Sequence, residues 1–451
     1  MNRERKREAD GERERERKLR VVQAGKLYPP EIGGIENVTR QLAEGLADDT
    51  DMTVVCCNSR MKTVRETIGG AKIVRCAATP RLLSAPLSLS YIAEVIKQSR
   101  RCDVLHLHYP YPPADAALLL SGCKGRVVVH FHSDILRQQR TYALIKPLIR
   151  HTMRRCDAII AASEGNISGS PLLSDYREKC RVIPYGIAPE KPPQLNVLER
   201  FAYSSDSVKA LFVGRLVYYK GVEVLIEAFR ILRGDGEKSN VMTSSADAFT
   251  QSGGAAHTAG GTIRVSAEQT KQSADDHFAD SGNDIQHHKK DADGTSTEER
   301  RCELFIIGGG EQEERLRELA ARYGLTEFVH FCGRQGERET ASALAECDFL
   351  VLPSNSRAEA FGLVQLEAMA AGRPVINTLL ATGVPEVSAD GISGLTVPPD
   401  DPQALAEAIG RLTADDALRK RLGEGALHRV RNRFSEAGML SAVLSLWYGE
   451  T

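Results

Sequence analysis

The stretch ALFVGRLVYYKGVEVLIEAF, residues 210–229, changes its period in the middle. Residues 210–214 are apolar and end on glycine, the composition of a buried strand. From there on the apolar residues recur at Val222, Leu225, Ile226 and Phe229, the spacing of a helix with one inward face. Between the two lie Arg215 and Lys220, cations that flank a single turn at a strand's carboxyl end. Strand, short turn and helix make half of a parallel-sheet unit.

The same alternation continues in both directions. Upstream, LRVVQAG leads into a helical stripe of Ile35, Val38, Leu42 and Leu46. MTVVCC, KIVRC, DVLHLH, RVVVHFH and AIIAAS follow, with helical stretches at 87–100 and 139–155, and RVIPYGI closes the series. Downstream come CELFIIGGG, FVHFCG, DFLVLPS, PVINT and GLTV, with helices near 221–233, 311–323, 338–346, 361–371 and 402–413. The expected fold is α/β, with two doubly wound, Rossmann-like halves facing each other. The expected boundaries are 19–192 and 207–433, a linker at 193–206 within a proline-bearing stretch, and a final helix in 434–451 that carries Trp447, the sole tryptophan. Residues 1–18 are a charge run of both signs and are expected to be a disordered tail. Residues 236–300 are polar and poor in large apolar side chains, so they read as a disordered insertion. His287 and His288 within it offer a metal pair, but an unstructured polar tract is the plainer reading.

Composition narrows the function classes. The 451 residues carry a formal net charge of −1, so no global field draws nucleic acid. The ten cysteines are scattered, none in a CxxC, and read as buried free thiols of a reducing compartment. No apolar run approaches the roughly 18 residues of a membrane span, and no secretory signal is visible. A cytoplasmic enzyme or binding protein is expected.

In an open α/β sheet, ligands bind beyond the carboxyl ends of the strands. Five turns there carry candidate chemistry. In KLYPPEIGGIEN, Gly33 and Gly34 precede a helix; this is either a backbone anion site or a plain tight turn. Arg215 and Lys220 suit a diphosphate, or are two solvated cations. IIGGGEQEERL lacks the third glycine of a dinucleotide turn, and its Glu311, Glu313 and Glu314 would repel phosphate, so an uncharged part of a nucleotide fits better there. VVVHFHSD ends on His130 and His132 with Asp134 beyond, and His106 and His108 end the neighbouring strand. Such histidines can serve a sugar hydroxyl, a phosphate or a proton transfer, or be satisfied locally. No acidic or cysteine partner stands at ligand spacing, so no metal is expected. Finally, PSNSRAEAFGLVQLEAMAAGRP reads as a loop and a helix with Leu363, Leu366 and Ala370 inward, ended by Gly372. Glu367 lies on the flank of that stripe, where its desolvation needs donors. Glu359 would point into the cleft, or the two are simply solvated glutamates.

Together these turns resemble the retaining glycosyltransferases of family 4 with the GT-B fold. The resemblance covers about 19–235 and 301–450. It rests on E-x7-E at Glu359 and Glu367, on VGRLVYYKGVEVLIEAF, and on GGIE and IPYGI. It implies that Arg215 and Lys220 hold the diphosphate of a GDP- or UDP-linked sugar, and that Gly33 and Gly34 offer N–H groups to its distal phosphate. Glu359 would contact the donor sugar with backbone help from Phe361, Gly362 and Leu363, Glu367 would bind the ribose, and His132 would lie beside the transferred sugar. The last helix would cross back to the first half. HFHSDI with Gln138 also looks like a bacterial subgroup that moves mannose or rhamnose in polysaccharide assembly. Where the family often has a small residue and an acid after PVI, this chain has Asn377 and Thr378, which leaves the donor open.

The implied reaction moves a hexose to a glycan or lipid-linked acceptor with the anomeric configuration kept. No cofactor beyond the sugar nucleotide and no metal is expected, since the cations carry the charge. The acidic triplets at 49–51 and 291–293 mimic a metal motif, but one precedes a strand and the other lies in the insertion. A basic helix over 137–155, with Arg137, Arg140, Lys146, Arg150, Arg154 and Arg155, either touches an anionic membrane or simply packs on the sheet. An epimerase or phosphorylase of the same architecture and a non-catalytic sugar-nucleotide sensor are the rival readings. Nucleoside diphosphate release that depends on acceptor separates them from a transferase.

Overall fold

The computed structural model describes residues 17–31, 33–58, 60–79, 86–135, 139–188, 192–201, 204, 206–234 and 301–450. Most of the charged tail, the insertion at 236–300 with its histidine pair and acidic triplet, and Arg137 and Gln138 lie outside the described residues. Two sheets organise the remainder, which clusters as one compact unit.

The first sheet has eight strands: β1 (Leu19–Ala24), β2 (Thr50–Cys57), β3 (Val64–Ile68), β4 (Ala71–Cys76), β5 (Val104–Tyr109), β6 (Arg126–Phe131), β7 (Ala158–Ala161) and β8 (Cys180–Val182). Their order is β3-β4-β2-β1-β5-β6-β7-β8, parallel except for the β3–β4 pair. The second sheet has six: β9 (Val208–Val213), β10 (Cys302–Ile307), β11 (Val329–Gly333), β12 (Phe349–Leu352), β13 (Val375–Thr378) and β14 (Gly394–Val397), ordered β11-β10-β9-β12-β13-β14 and parallel throughout. Every residue of β5 and β10 is buried, because helices cover both faces of each sheet and no position on a central strand is left for a solvated side chain. Both halves are Rossmann-like, and central strands of each, β5 and β6 in the first and β9 and β12 in the second, bring their carboxyl ends to the same cleft.

Three elements depart from the sequence reading. β3, VRETI, shows no apolar alternation because it is an antiparallel edge with three exposed residues, and charge at an edge protects it from further pairing. The helix Pro112–Ser121 opens on two prolines and shows no clear polar face. The helix Asp416–Arg433 carries eight charged residues among eighteen, yet Leu422, Ala426 and Val430 bury one narrow stripe.

The connection between the halves is fastened to the second one. The Glu346 carboxylate accepts from the N–H groups of Val197 and Leu198, at 2.9 and 2.7 Å, and Ser342 accepts from that of Leu195. The last helix, Glu436–Tyr448, leaves the second half and packs on the first. Leu440 presses against Gly45, and Trp447, 2% exposed, donates its indole N–H to His106 Nδ1 at 2.9 Å. Nine cysteines are buried and Cys180 is half-buried, all as free thiols. Among the described residues no helix is long and apolar enough to cross a membrane. The triplet at 49–51 opens β2, where Asp51 pairs with Lys72 at 2.6 Å, at the edge of the sheet opposite the cleft.

Candidate active site

On the second half the charges gather at the end of β9. The strand runs into Gly214, and a single 3-10 turn, Tyr218–Lys220, leads to the helix Val222–Leu232. Gly221 between them has φ 66°, and a Cβ there would lie 1.9 Å from the Pro353 carbonyl oxygen. Only glycine lets the turn close onto the end of β12. That contact delivers the Lys220 ammonium to Glu359, 2.5 Å away, with side chains 13% and 11% exposed. Ser354 donates to the same carboxylate at 3.2 Å. Arg215 stands further out, exposed, donating to the Tyr219 hydroxyl at 2.9 Å. The glycines of the third turn have a packing reason: Gly308 and Gly310 press on the carbonyls of Gly214 and Leu216, where a Cβ would come within 1.8 and 2.3 Å.

The E-x7-E helix spans Leu363–Ala370 and begins behind Gly362, whose φ is 74°. No side chain caps it, and among the described residues nothing accepts from the N–H groups of Phe361, Gly362 and Leu363. Its buried residues are Gln365, Leu366, Ala368 and Met369; of the stripe read from sequence, Leu366 is buried while Leu363 and Ala370 are half-buried against the same core. The helix lies between the second sheet and the helix Asp416–Arg433, so two faces need cover and Gln365 is drawn inside. Gln365 donates to the Phe361 carbonyl at 2.9 Å and accepts from Asn377. Asn377 is itself 1% exposed and also donates to the carbonyls of Val384 and Ser388. The departure from the family pattern at Asn377 therefore belongs to a buried network beneath the helix.

Leu363 turns to the first half. A Cβ on Gly34 would lie 3.2 Å from Leu363 Cδ1. Gly34 and Leu363 are the first residues of their helices, Gly34–Gly45 and Leu363–Ala370, so two helix N-termini with their partial positive charge meet across the cleft. The Glu36 carboxylate folds back over Gly33 and occupies one side of this meeting point. Glu367, half-buried farther along the helix, has no partner side chain among the described residues. Burial, and then the charge of Glu337, raise its pKa.

The first half brings neutral groups. His106, His108, His130 and His132 lie on one face of adjacent strands, since β5 and β6 pair with His108 opposite His130. All four are buried, and their rings stack, His130 on His132 at 4.6 Å and His108 on His132 at 5.2 Å. Burial pushes His108 down to about 3 and holds the other three well below the usual imidazole range, with neighbouring imidazoles adding to the effect. His132 does not stand open to the cleft. Its Nε2 meets His108 Nδ1 at 2.9 Å and its Nδ1 meets the Tyr185 hydroxyl at 2.7 Å. The Tyr185 ring touches Phe361 edge-on at 4.9 Å and links the histidines to the E-x7-E loop.

Nitrogens of His106, His108 and His130 lie within 4.8 Å of one another, close enough to hold a cation. The donors around them oppose it. An indole N–H only donates, so His106 Nδ1 is a lone pair and its proton sits on Nε2, facing His130 Nδ1 at 3.3 Å. The lone pairs a metal needs are thus already taken.

Polar contacts join the halves around this centre. Arg357 pairs with Asp134, which also accepts from Ser170 at 2.7 Å. Asn166 donates to the Ala360 carbonyl at 2.9 Å, Gly165 N–H to Glu386, and Arg40 lies 3.6 Å from Glu337. The structure thus brings Gly33, Gly34, Lys220, Glu359, Phe361, Gly362 and Leu363 together. It reaches His132 only through Tyr185 and leaves Arg215 at the rim. Sequence reasoning missed Tyr185, although IPYGI contains it. It also missed Gln23, Asn166 and Arg357, which carry no local signal.

Residues 32–191 match the family described as Glycosyltransferase Family 4, and residues 288–429 match Glycosyl transferases group 1. The chain is 26% identical over 434 residues to the O-antigen chain mannosyltransferase C of Escherichia coli, covering 95% of this chain and 98% of that relative. It is 28% identical over 421 residues to the D-rhamnosyltransferase WbpZ of Pseudomonas aeruginosa, covering 92% of each. Among solved structures, Anabaena Alr3699/HepE in complex with UDP superposes with a TM-score of 0.66 at 16% identity, over 96% of this chain and 100% of that one. That likeness speaks for the fold alone.

Proposed function

The chain is a GT-B glycosyltransferase of family 4 type, and from that membership we propose a retaining transfer of a hexose, mannose or a similar sugar, from a nucleoside diphosphate to a growing glycan or lipid-linked acceptor of a cell-surface polysaccharide. The observation that carries this reading is the meeting of Lys220, Glu359 and two uncapped helix N-termini in one cleft. The barrier to such a transfer is charge separation between a cationic sugar and a departing diphosphate. Fixed positive groups lower it most, because they need no reorganisation as the charge develops. Lys220 is a compact cation that exchanges Glu359 for a phosphate oxygen. Arg215 closes over the diphosphate from the rim, and Gly33 and Gly34 give N–H groups from the other side. Glu359, released from Lys220, receives donor-sugar hydroxyls beside the free N–H groups of Phe361, Gly362 and Leu363. Glu367 accepts from the ribose, which suits an unpaired carboxylate on a half-buried flank. No cofactor or metal enters this scheme.

The named activities of the two full-length relatives support sugars of the mannose and rhamnose series and an O-antigen-like acceptor. The UDP held by the structural relative supports a nucleoside diphosphate donor. On the acceptor side, the helix Gln139–Arg155 buries Ile149 and Met153 in the first half and exposes Lys146, Arg150 and Arg154, with Leu144 83% exposed. Most of its apolar face is therefore used by the fold. Attraction of its cations to anionic lipid headgroups, with Leu144 as the one apolar contact, is the membrane mode that remains.

The test is a transfer assay with UDP-, GDP- and dTDP-sugars and a lipid-linked glycan acceptor, read by nucleoside diphosphate release and by NMR of the new anomeric centre. Acceptor-dependent release with the donor's anomeric configuration kept is expected. Release without acceptor dependence, or an inverted centre, overturns the reading.

A further inference from the structure

The hydrogen bonds behind His132 have one consistent direction. Gln23 is fully buried in β1, and its amide nitrogen faces Met52 Sδ at 3.4 Å, which leaves Oε1 toward His108 Nε2 at 2.8 Å. A carbonyl oxygen only accepts, so His108 carries its proton on Nε2 and its Nδ1 is a lone pair. His132 must then donate from Nε2 to His108 and accept at Nδ1, and the acceptor position is filled by the Tyr185 O–H. Every group in the row is neutral, and every donor points away from the cleft. The oxygen of Tyr185, whose ring touches Phe361 edge-on, is the negative end of a head-to-tail chain of dipoles.

We propose that Gln23, His108 and Tyr185 are positioning residues of the transfer. They hold His132 in its Nε2-protonated form and turn the negative end of the chain toward the sugar, where positive charge develops as the diphosphate leaves. This rests on the proposed transfer, with His132 beside the transferred sugar as the family resemblance implies. A neutral acceptor suits the task because it stabilises the cationic sugar without attacking it and without pairing with Lys220. Electrostatic groups of this kind act on the transition state more than on the bound donor. Their loss therefore lowers kcat and leaves the donor KM nearly unchanged.

The test joins spectroscopy and kinetics on the full chain. In protein labelled with 15N-histidine, His132 is expected as the Nε2–H form, assigned by its loss in His132→Gln. Gln23→Leu removes the acceptor at the far end and keeps an apolar side chain of similar size. Its kcat is expected to fall roughly tenfold, the lower end of what losing an outer hydrogen-bond partner of a functional histidine costs, with donor KM within about twofold. Gln23→Glu keeps an acceptor oxygen and is expected to restore both the single tautomer and most of kcat. A wild-type spectrum with the His132 proton on Nδ1 overturns the proposal without any variant having to fold. Unchanged kcat in Gln23→Leu overturns it as well. His132→Gln separates the two levels: wild-type turnover there removes His132 from the sugar and the relay with it, whereas lost turnover there beside an intact Gln23→Leu removes the relay alone.

Discussion

The two sheet edges that face each other across the cleft are built on opposite electrostatic plans. The second half places formal charge there, with Lys220 on Glu359 at 2.5 Å, Arg215 at the rim and Glu367 unpaired on its helix. The first half places none at its centre. Four imidazoles, a tyrosine and an amide are buried and bonded to one another, with only His130 Nε2 left without a partner among the described residues. In the proposed transfer, the contrast matches what each side would meet. A diphosphate needs cations that can exchange partners, so the second half keeps its charges in a pair that can open. A sugar that turns cationic and must not be attacked needs fixed neutral dipoles, so the first half keeps its polar groups in a closed network.

The largest effect that breaks this contrast is at Lys220. Lys220→Ala is expected to lower transfer by about 10²–10³, the loss seen when one charge-stabilising donor is removed. It also leaves Glu359 nearly buried without its cation, which costs about 3–5 kcal/mol in stability. Adding Glu359→Gln should recover most of that stability and none of the transfer. Thermal melts beside assays of the single and double variants separate the structural from the catalytic share.

The neutral side is broken by acid. The four histidines have folded pKa values below the ordinary imidazole value of about 6.5. The unfolded chain therefore binds more protons, and the stability they confer is present above about pH 6.5 and lost as the pH falls below it. Each imidazole adds up to about 1.4 kcal/mol per pH unit to that loss. Trp447 is the sole tryptophan and donates to His106, so its fluorescence should be flat above that pH and change with unfolding below it. A fold that stayed intact down to about pH 3 would contradict the neutral network.

A smaller effect sharpens the comparison at Glu367. Its pKa is raised by burial, so its ionised form lowers stability as pH rises through the carboxylate range. Glu367→Gln is expected to raise the melting temperature at neutral pH. The same change should weaken donor binding about tenfold, since a hydrogen bond to a charged group is worth about 1.5–3 kcal/mol. Calorimetry of donor binding checks one half and a melting curve the other.

How much of this was legible in the sequence divides along the same line. Strands of the β10 type and helices such as Val222–Leu232 announce themselves because burial forces apolar runs and stripes. Lys220 and Glu359 could be named as candidates because they sit in turns that a parallel sheet aims at its carboxyl edge, and Glu367 because it flanks an apolar helix, while their roles came from the family resemblance. The neutral network was not. Gln23 looks like any polar residue in a strand, Tyr185 and Phe361 are 176 residues apart by their numbers, and Trp447 reaches His106 across 341 positions. Such partners are chosen by tertiary contact, and no local period records them. The inward stripe of the E-x7-E helix was read only in part for a related reason. Periodicity shows one face, and this helix is covered on two.

The most direct measurement is the calorimetric affinity of the wild-type chain and of Lys220→Ala for UDP and GDP without sugar. If the cleft works by holding a diphosphate between Lys220 and two helix N-termini, one of the nucleotides binds the wild type and loses roughly tenfold or more in Kd on removal of the ammonium. Equal affinity in the two proteins would mean that the diphosphate lies elsewhere, and the central claim would fail.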